Sequence, residues 1–209
     1  MSLNKKKTPM REQDIEERIK NFKEVALGYS RDEALKEAER CLECKDPKCM
    51  EGCPVEVPIP HFIRAIKDED YEKAADILKS KNNLPAICGR VCPQESQCEA
   101  VCVVGNKHEP VSIGRLERWV ADWDLDRDQE IEAGELNKSR VAAVGAGPAG
   151  LTAAADLAKM GYQVTVFEAF HKPGGVLVYG IPEFRLPKNI VDQEVEYIKK
   201  LGVEVRLNY

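Results

Sequence analysis

The sequence predicts a mostly α N-terminal domain followed by the opening of an α/β domain that stops before its sheet is complete. Three observations predict this. Apolar residues recur at helical spacing from Met10 to about Asp126, all eight cysteines fall between Cys41 and Cys102, and from residue 140 the pattern turns to strand, glycine-rich turn, helix and strand. The expected divisions are a helical domain at 1–126, a linker at 127–139 and an α/β segment at 140–209.

Ile15, Ile19, Phe22 and Ala26 have the spacing of an apolar stripe on a charged first helix. Ser30 with Glu33 reads as a capping box opening a second helix through Ala34, Leu35, Ala38 and Leu42, which delivers the chain to the first cysteines. Pro60 marks a helix start ahead of Phe62, Ile63 and Ile66, and a further helix is expected from Asp70 to Ser80 with Tyr71, Ala74, Ile77 and Leu78 inward. Asn82, Asn83 and Pro85 break the chain before the second cysteine group. The last helix of this half starts near Ser112, with Leu116, Trp119, Val120 and Trp123 on one face. Residues 124–139 are charged and weakly periodic, as a solvated connection would be. Beyond them come a buried parallel-type strand at Val141–Val144, a small-residue helix at Pro148–Met160 and a strand at Gln163–Phe167. A helix from Lys188 to Leu201 and a strand from Val203 to Leu207 complete the segment.

The 209 residues are 43% hydrophobic and 32% charged, the balance of a soluble globular chain. A net charge of -5 argues against nucleic acid as a partner. Lys5, Lys6 and Lys7 are followed by no apolar run, so no signal peptide or membrane anchor is expected and the compartment predicted is the cytoplasm. A reducing compartment leaves thiols for metal rather than disulfides.

The cysteines form two groups, Cys41-x2-Cys44-x4-Cys49-x3-Cys53-Pro54 and Cys88-x3-Cys92-Pro93-x4-Cys98-x3-Cys102. Four soft anionic ligands converging on a small cube are what a [4Fe-4S] cluster needs, and a cysteine before proline ligates the other cluster in two-cluster ferredoxins. The gap from Cys44 to Cys49 is two residues longer than in the bacterial ferredoxin run. Zinc ribbons pair one Cys-x2-Cys with another, and only Cys41 and Cys44 have that spacing here. The spacing therefore favours two iron–sulfur clusters.

Gly145-Ala146-Gly147-Pro148-Ala149-Gly150 matches G-x-G-x-x-G between a strand and a helix, the fingerprint of a Rossmann-like βαβ unit. Gly145 makes the tight turn, Gly147 admits a pyrophosphate, and the helix N-terminus supplies positive charge. Glu168, 18 residues past Gly150, is placed to accept hydrogen bonds from a ribose. Pro148 and the pair Gly174-Gly175 favour FAD over NAD, the glycines lining a pocket because they lack Cβ atoms.

A cysteine-rich helical half followed by Val-Gly-Ala-Gly-Pro-Ala-Gly-Leu and by Gly180-Ile181-Pro182-Glu183-Phe184-Arg185-Leu186-Pro187 resembles the glutamate synthase small-subunit family. That family includes the large subunit of the NADH-dependent reduced ferredoxin:NADP oxidoreductase and the N-terminal part of dihydropyrimidine dehydrogenase. The resemblance implies an α-helical ferredoxin domain with two [4Fe-4S] clusters, then an FAD domain and an NADPH domain. It implies one cluster on Cys41, Cys44, Cys49 and Cys102, and the other on Cys53, Cys92, Cys98 and an oxygen ligand at Glu117, with Cys88 a spectator thiol. It further implies an NAD(P)H-dependent oxidoreductase passing electrons through FAD and the clusters to a larger or second oxidoreductase subunit, with ferredoxin a further candidate partner. The chain ends at Tyr209 without a second glycine fingerprint, so the FAD site is expected to be incomplete and NADP(H) to bind in a C-terminal part beyond it. The competing expectation is a non-redox helical adaptor stapled by metal. No catalytic acid, base or nucleophile is expected, since His61, His108 and His171 are scattered.

Overall fold

The computed structural model describes residues 4–127, 134–135 and 137–209, so most of the connection expected at 127–139 lies outside the described residues. The chain divides into one compact unit of residues 1–21 and 25–126 and a second of residues 22–24 and 127–209.

The first unit begins with a small antiparallel hairpin, β1 (Arg11–Glu12) on β2 (Ala26–Gly28), with the single-turn helix α1 (Ile15–Arg18) between the strands. This corrects the expected long first helix. Asp14 caps α1 by accepting the Glu16 N–H, but the Asn21 amide donates to the Glu17 carbonyl at 2.7 Å and ends the helix after one turn. Gln13 N–H then bonds Val25 O at 2.8 Å and turns the chain back as a hairpin. Ala26 lies in β2, and Ile15, Ile19 and Phe22 are exposed, so the helical spacing of these residues does not mark a buried stripe.

Helix α2 (Arg31–Ala38) opens on the expected capping box. The Ser30 side chain accepts the Glu33 N–H, and Glu33 Oε2 takes the Ser30 N–H at 2.6 Å. The helix stops at Ala38, short of Leu42, which is exposed. Behind it, Glu37 and Arg40 form an ion pair at 2.6 Å with almost no solvent exposure. Glu37 also accepts the backbone N–H groups of Thr8 and Ser112 at 2.7 and 2.8 Å. Arg40 donates to the carbonyls of Asn4, Glu109 and Pro110, so this pair fastens two distant segments to α2.

After the one-turn α3 (Lys48–Glu51), helices α4 (Ile59–Lys67), α5 (Tyr71–Lys79), α6 (Pro85–Val91) and α7 (Ile113–Leu125) complete the unit. Pro60 stands in the first turn of α4 and Asp70 caps α5, as their residue types dictate. Phe62, Ile63, Ile66, Leu78, Leu116 and Val120 are fully buried and belong to one core. Pro85 both breaks the preceding chain and opens α6, a helix that the sequence reading lacked. Helices α6 and α7 meet closely, because a Cβ on Gly89 would lie 2.6 Å from Arg118 Cα. Arg90 grips Asp122 through two bonds of 2.6 and 2.9 Å.

The second unit is a parallel sheet in the order β3 (Arg140–Val144), β4 (Gln163–Phe167), β5 (Glu204–Arg206). Helices α8 (Pro148–Lys159) and α10 (Lys188–Lys200) form the crossovers, and the single turn α9 (Val176–Tyr179) follows the Gly174-Gly175 pair. Consecutive right-handed crossovers that advance in one direction put both helices on one face. That face buries Leu151, Ala154, Ala155, Val164, Val166, Val195 and Ile198. Val144, expected in a buried strand, is 91% exposed. It lies on the other face of the sheet from these two helices, the face on which Tyr209 packs against Phe167. None of the described helices is long and apolar enough to cross a membrane.

Candidate metal centres and dinucleotide turn

Cys41, Cys44, Cys49 and Cys102 line one cavity, together with apolar side chains that include Ile59, Ile63, Val111 and Ile113. Three come from the chain leaving α2 and from α3. Cys102 arrives from 53 residues beyond Cys49, just ahead of a 3₁₀ turn at Val103–Asn106. Glu43 shapes the Cys41–Cys44 loop with φ of 49°, an uncommon value for a residue with a side chain. Its carboxylate is held by Lys67 and by Arg64 at 3.1 Å, and the Lys67 hydrogen bond in particular keeps it below the usual carboxyl range.

Burial pushes the Cys49 thiol up to about 12, and the neighbouring sulfurs of Cys102, Cys41 and Cys44 add to the rise. Cys41 is raised chiefly by burial as well, against the opposing effect of the Glu43 backbone N–H. Cys41 and Cys49 are thus costly as bare thiolates in this cavity. A cationic, thiophilic group offsets that cost. Among the described residues no three His, Cys, Asp or Glu side chains converge closely enough for a single ion. A four-iron cube instead spaces its ligands around a body, and a cavity ringed by four thiols suits it.

Of the other cysteines, Cys53 follows α3, Cys88 lies in α6, and Cys92 and Cys98 come after it. Cys98 is raised mainly by burial and then by the charges of Glu99, Glu117 and Cys53, which places it in electrostatic range of two of its expected co-ligands. Cys92 ends α6, and its thiol is lowered by a hydrogen bond from Cys88, the residue one helical turn before it. Cys88 is raised by that same bond first and by burial second. Asn82, which sequence reasoning read only as part of a chain break, donates to Glu117 Oε1 at 2.8 Å. Polar residues beside a proline read as a turn, so only the fold reveals that Asn82 faces Glu117 from 35 positions away.

In the second unit the fingerprint turn joins β3 to α8, with Gly145 at φ 92° and Gly147 capping the helix ahead of Pro148 and Ala149. A Cβ on Gly150 would come within 2.0 Å of Gly145 O, so this helix turn can pack on the strand end only without one. Cβ atoms on Gly145 or Gly147 would meet nothing within 4 Å, leaving an open approach to the backbone. Glu168 is buried and turned onto the same loop, accepting Ala146 N–H at 2.7 Å and Phe170 N–H at 2.9 Å. Gly174 N–H bonds Ala146 O at 2.7 Å, and Gly175, at φ 53°, sits where a Cβ would be 2.9 Å from Gly147 Cα. The two glycines therefore dock their loop onto the fingerprint turn, a packing role the sequence reading did not foresee.

Residues 18–129 match the family model described as dihydropyrimidine dehydrogenase domain II, 4Fe-4S cluster. The chain belongs to this family. Residues 144–202 match a second model, described as an NAD(P)-binding Rossmann-like domain. The chain is 42% identical over 176 residues to the NAD-dependent dihydropyrimidine dehydrogenase subunit PreT of Escherichia coli K12, covering 84% of this chain and 43% of that protein. It is 39% identical over 186 residues to PreT of Salmonella typhimurium, covering 88% of this chain and 45% of the relative. Against the glutamate synthase [NADPH] small chain of Azospirillum brasilense it is 38% identical over 197 residues, covering 92% and 41% respectively. The resemblance to the glutamate synthase small-subunit family is borne out by these relatives. The chain spans less than half the length of each.

Proposed function

We propose that this chain is the electron-relay portion of an NAD(P)H-dependent oxidoreductase subunit, with two [4Fe-4S] clusters, an FAD-type dinucleotide site and a second oxidoreductase subunit as its partner. The observation that carries the reading is the ring of Cys41, Cys44, Cys49 and Cys102 around one apolar cavity. The first cluster is assigned to these four. The second is assigned to Cys53, Cys92, Cys98 and Glu117, supported by the charges of Glu117 and Cys53 acting on the Cys98 thiol. When bound, the clusters carry single electrons, and a flavin can exchange the two electrons of a hydride for such steps.

The chain's own residues bind and shield. The thiols of Cys41 and Cys49, raised by burial, would hold iron as thiolates and so would have to give up their protons to bind it. Ile59, Ile63 and Val111 give the first site an apolar lining, while the Glu43–Lys67–Arg64 contacts hold the Cys41–Cys44 loop in place. In the second unit, the backbone opened by Gly145 and Gly147 and the N-terminus of α8 receive a pyrophosphate, and Glu168 braces that turn from beneath. The relatives, an NAD-dependent dihydropyrimidine dehydrogenase subunit and an NADPH glutamate synthase small chain, support a nicotinamide-linked partner enzyme.

The test is anaerobic purification with metal, sulfide and flavin analysis. About eight irons and eight sulfides per chain, with a dithionite-bleachable brown colour, are expected for two cubes. Colourless protein holding stoichiometric zinc without sulfide overturns the relay and leaves a metal-stapled adaptor. For the ligand assignment, Glu117→Cys should alter the reduced spectrum of one cluster. Unchanged spectra in that variant, with loss of a cluster in Cys88→Ala, contradict it.

A further inference from the structure

We propose that Asn82 is the positioning residue of the second cluster site, holding the Glu117 carboxylate with one end of its amide and the Cys88 thiol with the other. The proposal rests on the assignment of Glu117 as an oxygen ligand. Asn82 is 7% exposed, in the turn between α5 and α6. Its Oδ1 accepts the Leu84 N–H at 3.0 Å, which decides which end of the amide is oxygen. Nδ2 is thereby committed to Glu117 Oε1 at 2.8 Å.

Cys88 Sγ lies 3.6 Å from the same Oδ1, so its one hydrogen has two acceptors, the amide oxygen and the sulfur of Cys92. The segment is anchored from the far side as well. Gln94 Nε2 donates to Cys88 O at 3.0 Å, and its side chain lies where a Cβ on Gly114 would be 2.1 Å from Gln94 Cδ. One buried amide therefore links a ligand on α7 to the helix that ends in Cys92. It orients the carboxylate, and it makes Cys88 a proton donor beside a ligand sulfur in place of a spectator. Hydrogen bonds to ligand atoms and sulfurs orient them and tune a cluster's potential.

The test uses the anaerobically prepared 209-residue chain as wild type, Asn82→Asp, Asn82→Ser and the double variant Asn82→Asp/Glu117→Gln. Asp at 82 sets a carboxylate against that of Glu117, and Gln at 117 restores the hydrogen bond in the opposite sense. Asn82→Asp is expected to lose about half the iron and the paramagnetic signal of one reduced cluster while the other signal stays as in wild type. The double variant should regain both. Asn82→Ser should keep its iron and shift the reduction potential of that cluster alone. Wild-type spectra and potentials in both single variants overturn the proposal. So does a double variant of wild-type circular dichroism that fails to regain the cluster. Failure of the underlying assignment is separate, because Glu117→Cys would then leave both reduced spectra unchanged while Cys88→Ala loses a cluster.

Discussion

Replacing Arg40 by Met removes one half of an ion pair in which both side chains are at most 1% exposed. The Glu37 carboxylate would keep the Thr8 and Ser112 N–H groups but lose the 2.6 Å guanidinium bond. Breaking a buried pair from one side costs about 3–5 kcal/mol, because the remaining charge stays out of water. Three carbonyls, those of Asn4, Glu109 and Pro110, lose their donor too, at about 1 kcal/mol for each that water cannot reach. Since some of this relaxes, a loss of about 4–6 kcal/mol is expected, which lowers the melting temperature of the helical unit by roughly 15 °C. Thermal unfolding followed by circular dichroism, with wild type and variant in the same cluster state, measures it. The double variant Glu37→Leu/Arg40→Met is expected to be more stable than Arg40→Met alone, as no buried charge is left without its partner. An Arg40→Met loss below about 1 kcal/mol, or a double variant worse than the single, refutes the reasoning.

The remaining predictions concern the capping box and the glycine loop. Ser30→Ala should destabilise the helical unit by about 1 kcal/mol through the lost cap of α2, measurable by denaturant unfolding. Glu33 is held below its ordinary value of 4.5, first by the Ser30 backbone N–H, so the unfolded state takes up its proton before the folded state does. Its contribution is therefore complete above pH 4.5 and fades as pH falls through the lowered folded value. Glu33→Gln should remove that pH dependence, and an unaltered stability profile between wild type and variant would count against it. Gly175→Ala combines a φ of 53° with a Cβ 2.9 Å from Gly147 Cα, and should cost the second unit about 1–3 kcal/mol. A melting temperature equal to wild type would show that the loop does not need glycine there.

Much of the helical unit was legible because its signals are local. A serine three residues before a glutamate, a proline ahead of an apolar run and an aspartate before Tyr71 each satisfy helix-end groups whatever the rest of the chain does. The strand at Gln163–Phe167 was legible for the same reason, its β-branched residues alternating between faces. The first helix was misread because Ile15, Ile19 and Phe22 have helical spacing without burial, and the Asn21 bond that stops α1 has no periodic signature. Val144 was misread because an apolar run says only that a strand can be buried on both faces, whereas here both crossover helices pack on one. At the candidate sites the cysteines announced themselves by spacing. Asn82, Glu43 and the docking of Gly175 did not, since each matters through a partner far off in sequence or through backbone geometry.

The split origin of the first ring of thiols bears on how metal and fold depend on each other. Cys49 and Cys102 are separated by α4, α5 and α6, whose apolar residues, among them Phe62, Ile63, Ile66 and Leu78, are buried against one another and against Leu116 and Val120 of α7. The members of that core are mostly aliphatic and aromatic side chains. In small zinc domains the metal substitutes for a core, and the chain unfolds without it. Here Glu37 and Arg40 fasten the segment after Cys102 to the end of α2, where Cys41 follows at once, so contacts remote from sulfur bring the first and last members of the ring together. The raised thiol pKa values of Cys41 and Cys49 follow from burial where these segments meet. Under the cluster assignment proposed above, protons would be what an incoming cluster displaces at Cys41 and Cys49.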